Sequence, residues 1–403
     1  MLAQTPPLGW NSWNTFGNNI SADLIKGVAD KFIELGLKDA GYEYVVIDDL
    51  WSLHDRDPET HRIVADPAKF PKGMKDVADY IHSKGLKFGM YSCAGVRTCG
   101  NCPGSFDHEF LDAKTFAEFG VDFLKYDFCF KPAPADGPLL YRRMGQALRT
   151  CGREILFSAC NWGCDDVWGW VRSAGVHMYR STGDIFDNFK SFTNIMWSQT
   201  PKSAHIDWNS PVGNQDDRPS LHGQVRAAGG SAANAPGCWN DTDMLTVGMF
   251  GKGNVGTTGC NATEYRTQFA LWCMMSAPLM LGCDIRNIDA ETLALITNKG
   301  LLAIDQDPEA RPMFMATQNW GERYAFAKLL AGGDIALGFF NFTDDPGRIP
   351  LYTENLGVPD SVGLSFKAVN VLTGEDFGTI REYIDPEVAA HDCLVLRATP
   401  VWR

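Results

Sequence analysis

The sequence predicts an α/β protein, a (β/α)8 TIM barrel followed by a C-terminal antiparallel β-sandwich domain. From Trp10 to about residue 285, short apolar runs alternate with amphipathic segments, a pattern typical of parallel strands that are each followed by a helix. After about Pro312, strand-like segments are separated by Gly, Asp and Pro turns. The 403 residues exceed one ordinary core and suit a barrel of roughly 250 to 300 residues with a smaller module. We therefore expect a barrel over residues 1–310 and a β domain over residues 311–403.

Eight apolar runs supply the strands of the predicted barrel. They cover residues 8–10, 44–47, 86–91, 121–126, 155–159, 176–179, 237–240 and 278–281. The amphipathic segments predict helices over residues 21–35, 73–84, 109–119, 139–150 and 264–277, and Ser21 is placed to cap the first of them. In the second domain, alternating segments predict strands over residues 324–329, 334–341 and 366–372. An alternating βα order also suits an open doubly wound sheet, so the hydrophobic period alone leaves the barrel undecided.

Charge and hydropathy exclude several classes of partner. The formal net charge is −13, so the surface has no broad basic face that could neutralise phosphates, and we expect no nucleic-acid or anionic-membrane binding. The longest apolar run, residues 269–281, is interrupted by Ser276 and Pro278 and does not predict a membrane span. These features favour a small neutral solute as the partner.

Cysteine usage and the N-terminal residues give weaker indications. Cys99 and Cys102 form one CxxC pair, but no second pair or histidine cluster accompanies them, so we expect no structural zinc. No basic and apolar leader precedes Pro6, which favours the cytoplasm, although a secreted protein whose leader has been removed looks the same. The oligomeric state is left open, and a homo-oligomer is compatible with the sequence.

Polar side chains recur where the predicted barrel strands end. In a barrel, these positions all point into one bowl. A single Asp there is more often a helix cap or a turn residue, but a whole ring is harder to explain in that way. The ring consists of Trp10, Asn11, Trp13, Asp48, Asp49, Trp51, Lys125, Asp127, Cys160, Asn161, Trp162, Arg180, Asp184, Asp241 and Asp243. This ring favours the barrel and predicts a site inside its mouth.

The residue types in this ring indicate a carbohydrate site. Tryptophan faces stack on the apolar face of a pyranose, and carboxylates, Lys and Arg bond its hydroxyl groups. The absence of a phosphate-binding glycine loop argues against a phosphorylated substrate. The carboxylates could instead hold a divalent metal, but Lys125 and Arg180 in the same bowl would repel it, so we expect no metal and no cofactor.

At these residues the sequence resembles glycoside hydrolase family 27, the α-galactosidases and α-N-acetylgalactosaminidases. The matching stretches lie in the family's order within roughly residues 5–310, and they are residues 7–14, 47–51, Lys125-Tyr126-Asp127, Tyr179-Arg180 with Asp184, 237–244, 270–272 and 277–279. The resemblance implies a retaining exo-glycosidase that releases terminal α-linked D-galactose from oligosaccharides or glycoconjugates. It also implies that the β-rich tail is the family's second domain.

The resemblance assigns the two catalytic carboxylates. It implies that Asp127 attacks the anomeric carbon and that Asp184 protonates the departing oxygen and then activates water. A double displacement of this kind needs two carboxyl groups about 5 to 5.5 Å apart, one ionised and one protonated. We expect Lys125, on the same strand, to favour the ionised form of Asp127, and a partly desolvated Asp184 to hold its proton.

The resemblance also implies the residues that bind the sugar. They are Trp10, Asp48, Asp49, Tyr91, Cys99, Lys125, Cys160, Asn161, Trp162, Arg180 and Asp243. Asp48 and Asp49 would bond the O4 and O6 side, and an Asp at both positions favours a hexose over a pentose. A disulfide between Cys99 and Cys129 would fix the loop beside Asp127, and two free thiols are the alternative for a cytosolic protein.

Three alternative functions remain at this point. Asn161 stands where many α-galactosidases have Glu, and Cys164 leaves space near the 2-position, so an α-N-acetylgalactosaminidase is the first. The second is a carbohydrate-binding protein without activity, against which the presence of both carboxylates argues. The third is a metal-dependent barrel isomerase or aldolase, which EDTA would inactivate. The leaving group of the natural substrate is not predicted, because barrel loops vary too much.

Overall fold

The computed structural model describes residues 2–199, 233–319 and 321–402, and eight of its strands form one parallel sheet. They are β1 (Leu8–Asn11), β2 (Tyr44–Val46), β3 (Lys87–Cys93), β4 (Phe123–Asp127), β5 (Leu156–Cys160), β6 (Met178–Arg180), β7 (Trp239–Asp241) and β8 (Leu279–Leu281). Their order in the sheet is β7-β6-β5-β4-β3-β2-β1-β8, so each strand lies beside its neighbour in the chain. The predicted TIM barrel is confirmed.

The segment that follows β7 closes the barrel against β8. Leu245 forms a parallel bridge with Leu281. The Leu245 N–H donates to Met280 O at 2.8 Å, and the Leu245 carbonyl accepts from Gly282 N at 2.9 Å. Because this contact completes the ring, the carboxyl ends of all the strands face one bowl, which an open sheet would not provide.

The helices of the described residues lie between the barrel strands and after the last of them. They are α1 (Trp13–Phe16), α2 (Ala22–Glu34), α3 (Gly73–Ser83), α4 (Glu109–Phe119), α5 (Gly137–Thr150), α6 (Phe189–Gln199), α7 (Ala262–Met275), α8 (Ala290–Ile296) and α9 (Lys299–Asp305). Five of them correspond to predicted helices, whereas α1, α6, α8 and α9 were not predicted. The expected cap of α2 is present, since Ser21 Oγ accepts the Leu24 N–H at 3.2 Å. In the described part of the chain, no helix is both long and apolar enough to cross a membrane.

The second domain is antiparallel. Its strands are β9 (Phe314–Asn319), β10 (Arg323–Leu329), β11 (Ile335–Asn341), β12 (Gly347–Arg348), β13 (Leu351–Tyr352), β14 (Leu364–Asn370), β15 (Asp376–Ile380), β16 (Tyr383–Ile384), β17 (Glu387–Val388) and β18 (Cys393–Trp402). Six form a sheet in the order β15-β14-β18-β11-β10-β9, and β12-β17 and β13-β16 form two small pairs. The three predicted strands correspond to β10, β11 and β14. The boundary at residues 310 and 311 stays a prediction.

Lys328 on β10 links the two domains through a buried polar contact. It is 0% exposed, and its Nζ donates to Cys273 O at 3.1 Å, to Ser276 Oγ at 2.7 Å and to Ile304 O. Asp305 is also 0% exposed, and its Oδ1 has no hydrogen-bond partner among the described residues. Burial lowers the pKa of Lys328 and raises the pKa of Asp305, and their opposite charges act against both shifts. Lys328 therefore supplies both hydrogen bonds and charge to the end of the barrel.

Replacing this lysine should destabilise the protein. We expect Lys328→Met to lower the free energy of unfolding by about 3–5 kcal/mol, because three buried acceptors lose their donor and Asp305 loses the positive charge that acts against its raised pKa. Urea unfolding followed by fluorescence measures the loss. Adding Asp305→Asn to Lys328→Met should restore part of the stability, because Asp305 must be neutralised to stay buried without the lysine, whereas Asn carries no charge.

Lys367 provides the matched control for this prediction. It lies on β14 with an exposed side chain, so Lys367→Met should change the free energy of unfolding by no more than about 0.5 kcal/mol. If the two lysine variants unfolded at the same urea concentration, the structural role assigned to Lys328 would be wrong.

Candidate active site

A cavity of about 240 Å³ opens at the carboxyl ends of the barrel strands. Most of the predicted site residues line it, and these are Asp48, Asp49, Tyr91, Cys99, Lys125, Asp127, Cys160, Trp162, Arg180, Asp184 and Asp243. Trp10 and Asn161 are the two that do not. Pockets that enclose drug-sized ligands measure about 300–1,000 Å³, so this cavity suits a single sugar unit better than an extended chain.

Asp127 ends β4 and is buried with both carboxylate oxygens fixed. The residue is 6% exposed. Tyr91 Oη donates to Oδ2 at 2.9 Å, and the Phe128 N–H donates to Oδ1 at 2.9 Å. Burial raises the pKa of Asp127 to about 6, although the charge of Lys125 and the two hydrogen bonds act to lower it. At neutral pH most of this carboxyl group is therefore ionised and held in one orientation.

Lys125 on β4 is bonded to Asp48, which follows β2. Its Nζ donates to Asp48 Oδ2 at 2.8 Å, and the same oxygen accepts from Asn11 Nδ2 at 2.7 Å. Burial acts to lower the pKa of Lys125, but Asp48 and other negative neighbours raise it above its ordinary value. Asp49 Oδ2 accepts the Gly100 N–H at 2.7 Å, and burial raises the pKa of this second carboxyl group.

Arg180 at the end of β6 is shared between two carboxylates. Its Nη2 lies 2.8 Å from Asp184 Oδ1 and 2.5 Å from Asp243 Oδ2. The Asp184 side chain is 69% exposed, whereas that of Asp243 is 7% exposed. Burial raises the pKa of Asp243, and Arg180 acts against this shift. Asp243 Oδ2 also accepts the Ile185 N–H at 2.7 Å, which holds the backbone next to Asp184.

The environment of Asp184 differs from our expectation. Asp127 is the buried group, and Asp184 is exposed and paired with Arg180. The expected effect of Lys125 is present, because the lysine charge acts to lower the pKa of Asp127, but desolvation outweighs it and raises that pKa to about 6. The expectation that Asp184 is partly desolvated was wrong, because its side chain is 69% exposed.

Cys99 and Cys129 form the disulfide that the family resemblance implied. Their Cα atoms are 5.3 Å apart, inside the usual range of about 4.4–6.8 Å. Cys99 Sγ lies 3.7 Å from Asp127 Oδ2. The bridge therefore joins the loop after β3 to the end of β4, directly beside the carboxylate.

The same three side chains are grouped closely enough to resemble a metal site. The ligand atoms of Cys99, Asp127 and Cys129 lie within 4.8 Å of one another. The two sulfur atoms are bonded to each other, so the group offers one carboxylate and no thiolate. This donor set does not match a protein zinc site.

Trp10 was assigned to the sugar pocket, but the structure places it in the core. It is 0% exposed, and its Nε1 donates to Cys283 O at 2.7 Å. Trp13 lines the cavity instead. The reason is that β1 ends at Asn11, so Trp10 is still within the strand and Trp13 lies beyond its end. The sequence could have indicated Trp13, because this residue also follows the first predicted strand.

Asn161 was also assigned to the pocket and does not line it. The residue is 0% exposed, and its Nδ2 donates to Cys164 O at 2.7 Å, which stabilises the turn after β5. Side chains alternate along a strand, so Cys160 faces the cavity and Asn161 faces away. Trp162 then adopts a left-handed conformation with φ of 56° and returns to the cavity wall.

Several cavity residues were not selected from the sequence. They are Asn14, Ile185, Phe186, Met244, Asn254 and Val255. Asn254 and Val255 belong to a glycine-rich loop, residues 248–260. This loop packs on the segment after β1, where the Val255 N–H donates to Asn14 O at 3.0 Å. A Cβ atom at Gly253 would lie 2.7 Å from Thr15 Cα, so this approach requires glycine. The density of glycine was the available signal, but it does not say which wall the loop reaches.

Comparisons with known proteins agree with this geometry in both domains. Residues 5–307 match the family model described as Alpha galactosidase A, and residues 321–398 match the one described as Alpha galactosidase C-terminal beta sandwich domain. The chain is 37% identical over 409 residues to alpha-galactosidase 3 of Arabidopsis thaliana, covering 99% of this chain and 83% of that protein.

Solved structures give the same result. Alpha-galactosidase I from Mortierella vinacea superposes with a TM-score of 0.82 at 32% identity, over 99% of this chain and 98% of that one. The alpha-galactosidase of Saccharomyces cerevisiae determined with raffinose superposes with a TM-score of 0.82 at 26% identity, over 99% and 98% of the two chains. The chain therefore belongs to the α-galactosidase family of glycoside hydrolases, family 27.

Proposed function

We propose that this glycosidase removes terminal α-linked D-galactose by a double displacement in which Asp127 is the nucleophile and Asp184 is the acid/base. That the protein is an α-galactosidase follows from its family. The roles of the two carboxylates are the proposal. The observation that carries it is that both line one sugar-sized cavity, and that Asp127 is the one whose two oxygens are fixed by donors.

The proposed reaction has two steps. In the first, Asp127 attacks the anomeric carbon, the glycosidic bond breaks, and Asp184 gives its proton to the leaving oxygen. In the second, Asp184 takes a proton from water, and this water attacks the same carbon and releases the Asp127 carboxylate. The exposed position of Asp184 leaves room for the leaving group and then for water.

Binding of the sugar would prepare Asp184 for this role. Arg180 pairs with Asp184. A galactosyl unit in the cavity would exclude water from Asp184, and loss of solvation favours the protonated form of a carboxyl group. The buried carboxylates of Asp48 and Asp49 are acceptors for hydroxyl groups on the opposite side. The α-N-acetylgalactosaminidase alternative rested on Asn161 and Cys164, and neither residue lines the cavity.

Azide should give a different anomer of galactosyl azide with each of the two catalytic variants. With α-galactosyl fluoride, Asp127→Gly should give β-galactosyl azide, because azide occupies the place of the nucleophile. With dinitrophenyl α-galactoside, Asp184→Gly should give α-galactosyl azide, because azide attacks the covalent intermediate from the other face. On melibiose, which needs protonation of its leaving group, Asp184→Gly should lose about 10²–10⁴-fold in kcat/KM. Proton NMR identifies both anomers.

Asp241 is the control for this experiment, since it is a nearby carboxylate that does not line the cavity. Asp241→Gly should form no glycosyl azide, whatever activity remains. The same anomer from both catalytic variants, or the two anomers interchanged, would show that the roles are misassigned.

The pH profile should report the ionisation of Asp127. Because burial raises its pKa to about 6, and only the ionised form attacks, kcat/KM should fall about tenfold per pH unit below that value. Lys125→Met should move this acidic limb to higher pH, since the lysine charge lowers the pKa of Asp127. Hydrolysis of p-nitrophenyl α-galactoside from roughly pH 4 to 8 measures the acidic limb of the unmodified protein and of Lys125→Met.

Lys131 is the matched control for the shift. Its Nζ donates to Ala135 O at 2.7 Å, outside the cavity, so Lys131→Met should leave the acidic limb in place. An unchanged limb in Lys125→Met would disprove the electrostatic account of Asp127.

A further inference from the structure

Asp187 lies three residues after Asp184 and is a buried carboxylate outside the cavity wall. It is 0% exposed. Tyr265 Oη donates to its two oxygens at 2.9 and 3.0 Å, and the Gly251 N–H donates to Oδ2 at 2.7 Å. The Cys260 N–H also bonds this carboxylate. No step of the proposed reaction uses Asp187, yet it is one of the most completely bonded carboxylates of the described residues.

The main chain of Asp187 is bonded to the same glycine-rich loop. Its N–H donates to Val255 O at 3.1 Å, and its carbonyl accepts from Gly259 N at 3.0 Å and from Thr257 Oγ1 at 2.7 Å. Val255 and its neighbour Asn254 line the cavity. Asp187 thus joins the segment that carries Asp184 to the loop that forms another part of the cavity wall.

Asp184 itself depends on these attachments for its position. Its side chain is 69% exposed and is paired with Arg180. On the C-terminal side, the Ile185 N–H donates to Asp243 Oδ2 at 2.7 Å, and the Phe186 N–H donates to Ser191 Oγ at 2.9 Å. Asp187 is the next anchor, and it joins this segment to the glycine-rich loop. The direction of the Asp184 side chain is therefore set by these anchors and not by packing around it.

We propose that Asp187 is a positioning residue for the acid/base step, fastening the Asp184 segment to the glycine-rich loop so that Asp184 meets the leaving oxygen. This inference rests on the proposed role of Asp184. A misplacement of about 1 Å is enough to cost a catalytic group roughly 10²-fold, so the loss of one anchor is expected to weaken protonation before it weakens folding.

The contacts favour a carboxylate at this position, although Thr246 also bonds it with a hydroxyl group that can accept as well as donate. Backbone N–H groups of Gly251 and Cys260 can only donate. Tyr265 Oη accepts the Phe250 N–H at 2.6 Å, so its own proton is directed at Asp187. In Asp187→Asn the amide nitrogen would face one of these donors, because the side chain would have only one acceptor oxygen left.

The test compares substrates that differ in their need for an acid. We would measure kcat/KM, which reports the glycosylation step, for melibiose and for 2,4-dinitrophenyl α-galactoside, whose leaving group departs without protonation. Asp187→Asn should lose about 10–100-fold on melibiose and less than about threefold on the dinitrophenyl substrate. Tyr265→Phe, which removes one donor and keeps the carboxylate, should show the same selectivity with a smaller loss.

Glu264→Gln is the matched control, because Glu264 is another buried carboxylate at the start of α7, bonded to Asn261 N and His391 away from the cavity. It should leave both values unchanged. Equal losses on the two substrates, or no loss, in both Asp187→Asn and Tyr265→Phe would overturn the inference. If Asp187→Asn does not fold, Tyr265→Phe is judged by the same criterion.

Asp184→Asn, measured in the same series, separates this inference from the proposed function. If Asp184→Asn shows no selective loss on melibiose, Asp184 is not the acid, and both proposals fail. If Asp184→Asn shows the selective loss and the Asp187 and Tyr265 variants do not, only the positioning role is refuted.

Discussion

The cavity holds more negative than positive charge, and the contacts of the site compensate for this excess. Five lining carboxylates stand against two cations, and they are Asp48, Asp49, Asp127, Asp184 and Asp243 against Lys125 and Arg180. Backbone N–H groups of Gly100, Phe128 and Ile185 supply further compensation. Burial nevertheless raises the pKa of Asp49, Asp127 and Asp243. A neutral ligand rich in hydroxyl donors suits such a site, whereas an anion would be repelled.

This compensation requires segments that are far apart in the chain to meet closely. Gly100 belongs to the loop that the Cys99–Cys129 disulfide fixes, and Ile185 belongs to the segment that the glycine-rich loop holds. The barrel brings these loops together because Leu245 closes the ring against β8. Away from the cavity, Lys328 of the second domain donates to the carbonyl oxygens of Cys273 and Ile304, near the C-terminal ends of α7 and α9. The second domain thus contacts the barrel through Lys328, and none of its described residues lines the cavity.

Much of the fold could be predicted because two independent signals in the sequence agree. The hydrophobic period indicates alternating strands and helices, and the polar residues at the strand ends indicate a barrel. The cap at Ser21 illustrates this, since one side chain and the amphipathic run behind it define the start of α2. Helix α6 shows the limit. Its buried positions include Phe192, Ile195 and Met196, at helical spacing. The threonine and asparagine between them and the serines on either side are weak helix formers, so packing and not propensity stabilises this helix.

The sequence by itself determined which residues gather at the barrel mouth, because parallel strands end on one side and their following residues share one bowl. Only the tertiary structure decided which of the residues near a strand end faces the cavity. Trp13 and Trp162 line it, whereas Trp10 and Asn161 do not. A strand end shifted by one residue, or one left-handed turn, reverses the direction of a side chain. The tertiary structure also decided that Asp127 is buried and Asp184 exposed, since desolvation depends on every atom packed around a group and not on its neighbours in the chain.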